Sequence, residues 1–258
     1  MLLAIDIGNT NTVFGLFRDT ELVSSWRLHT DRTRTADEWA LAVYGLFAMA
    51  GLESGEVDST VIVSVVPPVL PALEALCREY FMRDPLVIGP EMKTGMPVRY
   101  ENPGDVGADR IVNAVAAYAR KQQSLIVVDF GTATTFDVVS AAGEYLGGAI
   151  APGLGISADA LSQRASKLPR VALAPPPVAV ATNTVHSMQA GLFFGYLGLV
   201  DGIIARMVEE LPGKPWVLAT GGLAGLIAPY SRFINEVAPD LTLEGLRIIF
   251  ALNNEREE

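Results

Sequence analysis

The chain carries the same opening twice. Residues 2–17 read LLAIDIGNTNTVFGLF and residues 125–140 read LIVVDFGTATTFDVVS. Setting Asp6 against Asp129 also pairs Gly8 with Gly131, Asn9 with Thr132, Asn11 with Thr134 and Thr12 with Thr135. In each copy an apolar strand runs into an Asp, then a Gly among hydroxyl or amide residues, then a second strand. This is the pattern of a β-hairpin whose turn presents polar groups and open backbone amides. A repeat over this distance implies two similar domains, one opening at each hairpin, which divides the chain into 1–120 and 121–258. A cleft between such domains would set the two turns face to face.

The segments between the hairpins fit an α/β fold. Strands are expected at 26–28, 61–66 and 216–220, the second a β-branched run that stops at Pro67-Pro68. Helices are expected at 35–49, 70–81, 109–121, 157–166 and about 185–211, with a Pro-rich connector at 174–178. The hairpin at the head of each half makes each sheet mixed and not purely parallel.

Composition narrows the partners. Half of the 258 residues are hydrophobic and 19% are charged, which supports a large buried core and argues against disorder. The net charge of −10, with the tail Asn-Asn-Glu-Arg-Glu-Glu, repels a polyanion, so no nucleic-acid partner is expected. An anionic small molecule such as ATP would then be held locally, by backbone amides and a metal. The single cysteine, Cys77, lies in a helical-looking stretch and reads as an inert buried thiol. His29 and His186 are far apart, and no Cys/His metal spacing occurs. Asp6 interrupts the apolar N-terminus before a signal core forms, and no uncharged run is read as reaching the roughly 20 residues of a membrane span. A cytoplasmic protein with no membrane partner is the expectation.

Three segments could carry chemistry. In Asp6-Ile7-Gly8-Asn9-Thr10-Asn11-Thr12 the Gly lets backbone approach a phosphate, and the Asp can hold Mg²⁺ through water, since that ion prefers oxygen ligands. An ordinary polar hairpin would use the same residues once; two copies in register favour the phosphate site. The Gly-rich stretch 147–155 could be a phosphate-side loop or a tight connection. Around residues 100–110, Tyr-Glu-Asn-Pro-Gly-Asp-Val-Gly-Ala-Asp-Arg opens onto a helix start. Asp109 there could take a proton from a hydroxyl, with Arg110 binding an anion, or could cap the helix; the residue types alone leave the two readings level. No G-x-x-x-x-G-K-[ST] loop competes, and no G-x-G-x-x-G follows a strand at a helix start.

Taken in order, the Asp-Ile-Gly-Asn-Thr start, Tyr-x-Asn-Pro…Gly-Ala-Asp-Arg and Asp-Phe-Gly-Thr-Ala-Thr-Thr resemble the signature set of type III pantothenate kinases. Gly147-Gly148-Ala149-Ile150-Ala151-Pro152-Gly153 and Thr220-Gly221-Gly222-Leu223-Ala224 are similar to that family too, and the likeness spans about residues 2–253. The resemblance implies two ribonuclease-H-like (actin-like ATPase) domains and the transfer of a phosphoryl group from ATP to pantothenate. It assigns ATP phosphates to Asp6, Ile7, Gly8, Asn9, Thr10, Asn11, Thr12 and Val13, with Thr132 their counterpart in the second hairpin. Asp109 becomes the general base, and Tyr100, Gly107, Ala108, Asp109 and Arg110 line the pantothenate pocket. Asp129 matches a ligand of a monovalent cation, potassium or ammonium, and Thr184 a substrate contact across a homodimer interface.

Other conspicuous residues have plainer readings. His186 is expected at a helix start or interface, His29 in an exposed loop, and Arg32-Thr33-Arg34 in a solvated turn. Gly191, Gly195, Gly198 and Gly202 would allow close helix packing. Gly221-Gly222 is either an adenine contact or a strand-to-helix turn. Two rival functions stand beside pantothenate phosphorylation: another small-molecule kinase of the same superfamily, such as a sugar kinase, and a non-catalytic transcription-regulatory protein on this fold.

Overall fold

The computed structural model describes residues 1–89 and 92–254; Glu255, Arg256, Glu257 and Glu258 of the acidic tail lie outside them. In chain order the elements are β1 (Leu2–Ile7), β2 (Asn11–Arg18), β3 (Glu21–His29), α1 (Ala36–Met49), β4 (Ser59–Ser64), α2 (Leu70–Ala75) and β5 (Leu86–Val87). There follow α3 (Ala108–Lys121), β6 (Leu125–Phe130), β7 (Ala133–Val139), β8 (Tyr145–Pro152), α4 (Leu154–Arg164) and α5 (Thr184–Glu210). The chain ends with β9 (Trp216–Thr220), α6 (Ala224–Ile227), β10 (Glu236–Val237) and α7 (Leu241–Asn254).

These elements form two compact units. The first holds Met1–Pro97, Glu101–Ala116 and α7; the second holds Val98–Tyr100 and Ala117–Asp240, so α3 runs from one into the other. Each unit has one five-stranded sheet, ordered β3-β2-β1-β4-β5 and β8-β7-β6-β9-β10. The centre strand pairs antiparallel with its hairpin partner and parallel with β4 or β9. The two similar mixed-sheet α/β units expected from the repeated hairpin are therefore present, with the same strand order in both.

In the first unit, alternation along β1 sends Leu3, Ile5 and Ile7 into a cluster with Phe14, Leu16, Trp39, Phe47 and Leu73 from β2, α1 and α2. The intervening Leu2, Ala4 and Asp6 take the opposite face of the strand, and α7 packs against β1, β2 and β4. Helix α1 starts where its signal predicts: Thr35 and Glu38 exchange cap hydrogen bonds, the Thr35 N–H donating to Glu38 Oε2 at 2.8 Å. Cys77 is fully buried, and burial pushes its thiol up to about 12, in keeping with an inert thiol. Gly245 of α7 packs on α3 so closely that a Cβ there would sit 2.2 Å from the Val112 carbonyl oxygen.

In the second unit, Ile126, Val128, Phe130, Phe136 and Val138 pack against Phe193, Tyr196, Val200 and Ile204 of α5. Two readings of the sequence need correction here. Of the Gly-rich stretch 147–155, read as a phosphate-side loop or a tight connection, residues 147–152 belong to the edge strand β8, paired with β7 so closely that a Cβ on Gly148 would fall 1.7 Å from the Phe136 carbonyl oxygen. Residues 171–200 carry no Asp, Glu, Lys or Arg, so an uncharged run longer than 20 residues does exist. Its helical part belongs to α5, whose 27 residues reach a mean hydropathy of 1.5 over an 18-residue window, long and apolar enough to cross a membrane by length and composition. Within that helix Asp201 is buried, accepting hydrogen bonds from Ser231 Oγ at 2.6 Å and from the Arg232 backbone and side chain at 3.2 Å.

Because the neighbour of Gly245 is backbone, which cannot rotate away, Gly245→Ala should cost about 1–3 kcal/mol of stability, read from the midpoint of a urea titration.

Candidate functional site

The first turn is built by register. Ile7 pairs with Thr12, leaving Gly8, Asn9, Thr10 and Asn11 to make the reversal, closed by the Gly8 N–H donating to the Asn11 carbonyl at 3.0 Å. A Cβ on Gly8 would meet that same oxygen at 3.0 Å. Thr30, just past β3, braces the turn: its N–H donates to the Thr10 carbonyl at 3.0 Å and its hydroxyl to the Gly8 carbonyl at 2.7 Å. Thr12 Oγ1 lies 2.9 Å from Thr30 Oγ1. Since Thr30's one hydroxyl hydrogen is committed to Gly8, Thr12 is the donor in that pair. Asn9 and Thr10 stay exposed, and Asp6 is half-buried at the end of β1.

The second turn is one residue shorter. Phe130 pairs with Thr134, so only Gly131, Thr132 and Ala133 reverse the chain. This corrects the alignment of the repeat: the Asp and Gly positions correspond as read, but Thr12 matches Thr134, and not Thr135. Both threonines are 0% exposed, both begin the inward face of the return strand, and both bond a buried hydroxyl, Thr134 that of Tyr196. Burial raises the Tyr196 phenol, and the Asp129 charge adds to the rise.

Two glycines crowd this turn. Gly153, before α4, donates its N–H to the Thr132 carbonyl at 3.1 Å, and a Cβ there would lie 2.3 Å from that oxygen. Gly221, after β9, has φ +90, and its Cβ would fall 2.4 Å from Asp129 Oδ1 and 2.7 Å from the Phe130 nitrogen. The carboxylate of Asp129 is thus packed against Gly221. Gly148, Gly153 and Gly221 of the two Gly-rich segments therefore share a reason for being glycine: close approach to the second hairpin.

At the start of α3, Asp109 is the second helical residue. Its Oδ1 accepts the Arg110 N–H at 2.9 Å, and the same N–H reaches the Gly107 carbonyl at 3.0 Å. A Cβ on Gly107 would sit 2.6 Å from Asp109 Oδ1, so glycine leaves room for the carboxylate. Asp109 is half-buried, Ala108 likewise, and Arg110 is buried.

In the second unit Tyr100 lies beside β8, its ring 3.5 Å from where a Gly147 Cβ would stand, and the neighbouring Arg99 N–H donates to the Tyr145 carbonyl at 2.8 Å. Tyr145 in turn donates to Asp137 Oδ1 at 2.7 Å, while Thr135 donates to its Oδ2 at 2.9 Å. Thr184 is exposed at the first position of α5. The Asn183 cap accepts the His186 N–H at 2.9 Å and its side chain meets His186 Nδ1 at 3.1 Å, which gives that histidine a helix-start role.

The structure thus places Asp6, Ile7, Gly8, Asn9, Thr10, Asn11, Thr12, Val13, Gly107, Ala108, Asp109 and Arg110 in the first unit, and Tyr100, Asp129, Thr132 and Thr184 in the second. The sequence reading missed Thr30, Tyr196 and the buried Asp137. The signal for Asp137 was an acid in the middle of the apolar strand TTFDVV; Thr30 and Tyr196 carried none, since their partners are distant in sequence.

With these features in place, the comparisons with known proteins decide the family. The family model for type III pantothenate kinase matches residues 2–206. The chain belongs to the type III pantothenate kinase family. It is 60% identical over 253 residues to a type III pantothenate kinase of Syntrophotalea carbinolica, covering 98% of this chain and 99% of that one. It is 57% identical over 255 residues to one of Geobacter sulfurreducens, covering 99% and 100%. Among solved structures it is similar to a ROK family glucokinase from Streptomyces griseus, with a TM-score of 0.53, 12% identity and coverage of 98% and 99%. That likeness bears on the fold alone, and it agrees with two ribonuclease-H-like domains.

Gly221→Ala is expected to strain the backbone and push Asp129 and Phe130 out of place. A loss of at least about 2 kcal/mol in a denaturant titration is the expected result.

Proposed function

We infer that this protein phosphorylates pantothenate with ATP, giving 4′-phosphopantothenate, the first step of coenzyme A biosynthesis. Membership of the family carries the reading, and the observation that supports its chemistry is the Asp109 carboxylate, placed at a helix start beside a glycine that leaves it room. The assay that tests it is ADP release by the purified protein with ATP and pantothenate. Glucose in place of pantothenate tests the sugar-kinase reading, and absence of turnover with either acceptor would favour the regulatory one.

In the proposed mechanism the primary hydroxyl of pantothenate attacks the γ-phosphorus in line, and Asp109 accepts its proton. Tyr100 and residues Gly107, Ala108 and Arg110 hold the acceptor, with Arg110 suited to its carboxylate. The turn of the first hairpin, Asp6 to Val13, and Thr132 of the second position the triphosphate through backbone amides and hydroxyls. Positioning and electrostatics supply most of the rate in such transfers. Asp6 would hold Mg²⁺ through water, and Asp129 a potassium or ammonium ion. Among the described residues no group of three or more His, Cys, Asp or Glu could hold a metal ion by itself. Single carboxylates fit the proposed ions nonetheless, because Mg²⁺ takes most of its oxygens from water and phosphate. When bound, the cations supply positive charge that offsets the triphosphate.

A homodimer, no nucleic acid and no membrane partner complete the proposal, with the cytoplasm as its compartment. The dimer is supported by α5, where Gly191, Gly195, Gly198 and Gly202 form an exposed stripe on which an added Cβ would meet nothing within 4 Å. Exposed Phe194 and Val185 lie on the same helix, and a twofold pair is the commonest soluble oligomer. Thr184 at the start of that helix is proposed to reach the partner's pantothenate pocket. The buried, hydrogen-bonded Asp201 supports α5 as a helix of a soluble protein.

Asp109→Asn should lower kcat by roughly 10²- to 10⁴-fold while ATP binding, measured by calorimetry, stays within a few-fold. A rate near wild type would leave Asp109 as a helix residue only. Replacing potassium by sodium should collapse activity, and Asp129→Ala should abolish the potassium response. Light scattering should give a dimer at assay concentration; full activity in sodium, or an active monomer, would remove the cation or the dimer from the proposal.

A further inference from the structure

The first hairpin's turn does not orient itself. Of its four residues, Gly8 and Asn11 share one internal backbone hydrogen bond, and the exposed Asn9 and Thr10 lie between them. A four-residue reversal with a glycine at its head has several accessible conformations, so the direction of its peptide planes depends on what they are tied to. Thr30 supplies the tie. It is buried, and it engages two carbonyls of the turn, that of Gly8 through its hydroxyl at 2.7 Å and that of Thr10 through its N–H at 3.0 Å. Thr12, itself fully buried, donates to the Thr30 oxygen at 2.9 Å and holds that hydroxyl in the rotamer that reaches Gly8.

The peptide bonds here are trans, and a planar trans peptide carries its N–H on the side opposite its C=O. Drawing the Gly8 carbonyl towards Thr30 therefore turns the Asn9 N–H away from it, to the exposed side of the turn. We propose that Thr30 is a positioning residue for the nucleotide: the Thr12–Thr30–Gly8 hydroxyl chain aims the Asn9 amide at the ATP phosphate. The inference rests on the reading of the first turn as a phosphate site and adds to it a residue outside the hairpin. Thr30 touches no substrate in this account; it acts through Gly8 and Asn9.

The measurement is steady-state kinetics on the full-length protein, varying MgATP and pantothenate separately, for Thr30→Val, Thr30→Ser and Asp6→Ala. Thr30→Val keeps size and the backbone bond to Thr10 but deletes the hydroxyl. It should raise KM for ATP by roughly tenfold, leave KM for pantothenate unchanged, and weaken MgATP binding by the same factor in calorimetry. Thr30→Ser keeps the hydroxyl and should return ATP kinetics to within about twofold of wild type. If Thr30→Val does not fold, Thr30→Cys, with its weak S–H donor, carries the same test. A lowered melting temperature with ATP kinetics unchanged, or an equal loss for both substrates, overturns the inference and leaves Thr30 a packing residue. Asp6→Ala separates the two levels. If Asp6→Ala impairs ATP use and Thr30→Val does not, only the role of Thr30 falls; if neither does, the phosphate reading of the turn falls with it.

Discussion

Each unit depends on one buried strand that carries a carboxylate one residue before its end. β1 and β6 sit at the centre of their sheets, paired on both edges, and their burial runs in the same sequence along LLAIDI and LIVVDF: five positions closed to solvent and the aspartate half open. A centre strand covered on both faces can bear a charge only where it emerges, and the hairpin that follows supplies that point. The return strands repeat the match, with Asn11 and Ala133 half-buried, Thr12 and Thr134 buried, and Phe14 and Phe136 inside the cores. Everything that positions polar groups at the turns, from Thr30 and Tyr196 to Gly153 and Gly221, is attached to this frame.

How much of it could be read from residues alone follows from the range of the interactions. The centre strands, the cap of α1 at Thr35 and the helix start at Asp109 are local patterns, and the sequence shows them directly. The difference in turn length is not local in that sense. Both segments have a similar run of polar residues after the Asp, and only the cross-strand register, Ile7 with Thr12 against Phe130 with Thr134, reveals that one residue is missing from the second. β8 reads as a loop because its glycines have little preference for a strand; Gly148 is there because the β7 backbone leaves no room for a side chain, and Gly147 because its φ is +119. Helix α7 is apolar on one side, yet nothing in its own residues says that it packs on the first sheet, from which it is separated by more than half the chain.

The same limit applies to the candidate site. Aspartates at a strand end or a helix start stand out by type and place, so Asp6, Asp109 and Asp129 were legible, and the ordered motifs gave them roles. The residues that fix those groups were not. Thr30 looks like any loop threonine, Tyr196 like any helix aromatic, and Gly153 and Gly221 like flexible connections until the atoms beside them are known. Asp137 is the intermediate case: an acid within an apolar strand has to be satisfied, and here Tyr145 and Thr135 satisfy it, but which groups would do so depends on the register of β7 with β8.

The two hairpins are held by different means, and this difference bears on what each can do. The first turn is fixed from within its own sheet by hydroxyl and amide donors from Thr30, which occupy the Gly8 and Thr10 carbonyls. The second is fixed from outside, by backbone pressed against it at Gly153 and Gly221 and by Tyr196 from α5. A Gly153 amide occupies the Thr132 carbonyl, and the Asp129 carboxylate lies against Gly221. Duplicating one hairpin and bracing each copy differently thus yields, from nearly the same residues, two turns of different length whose polar groups are held by different partners.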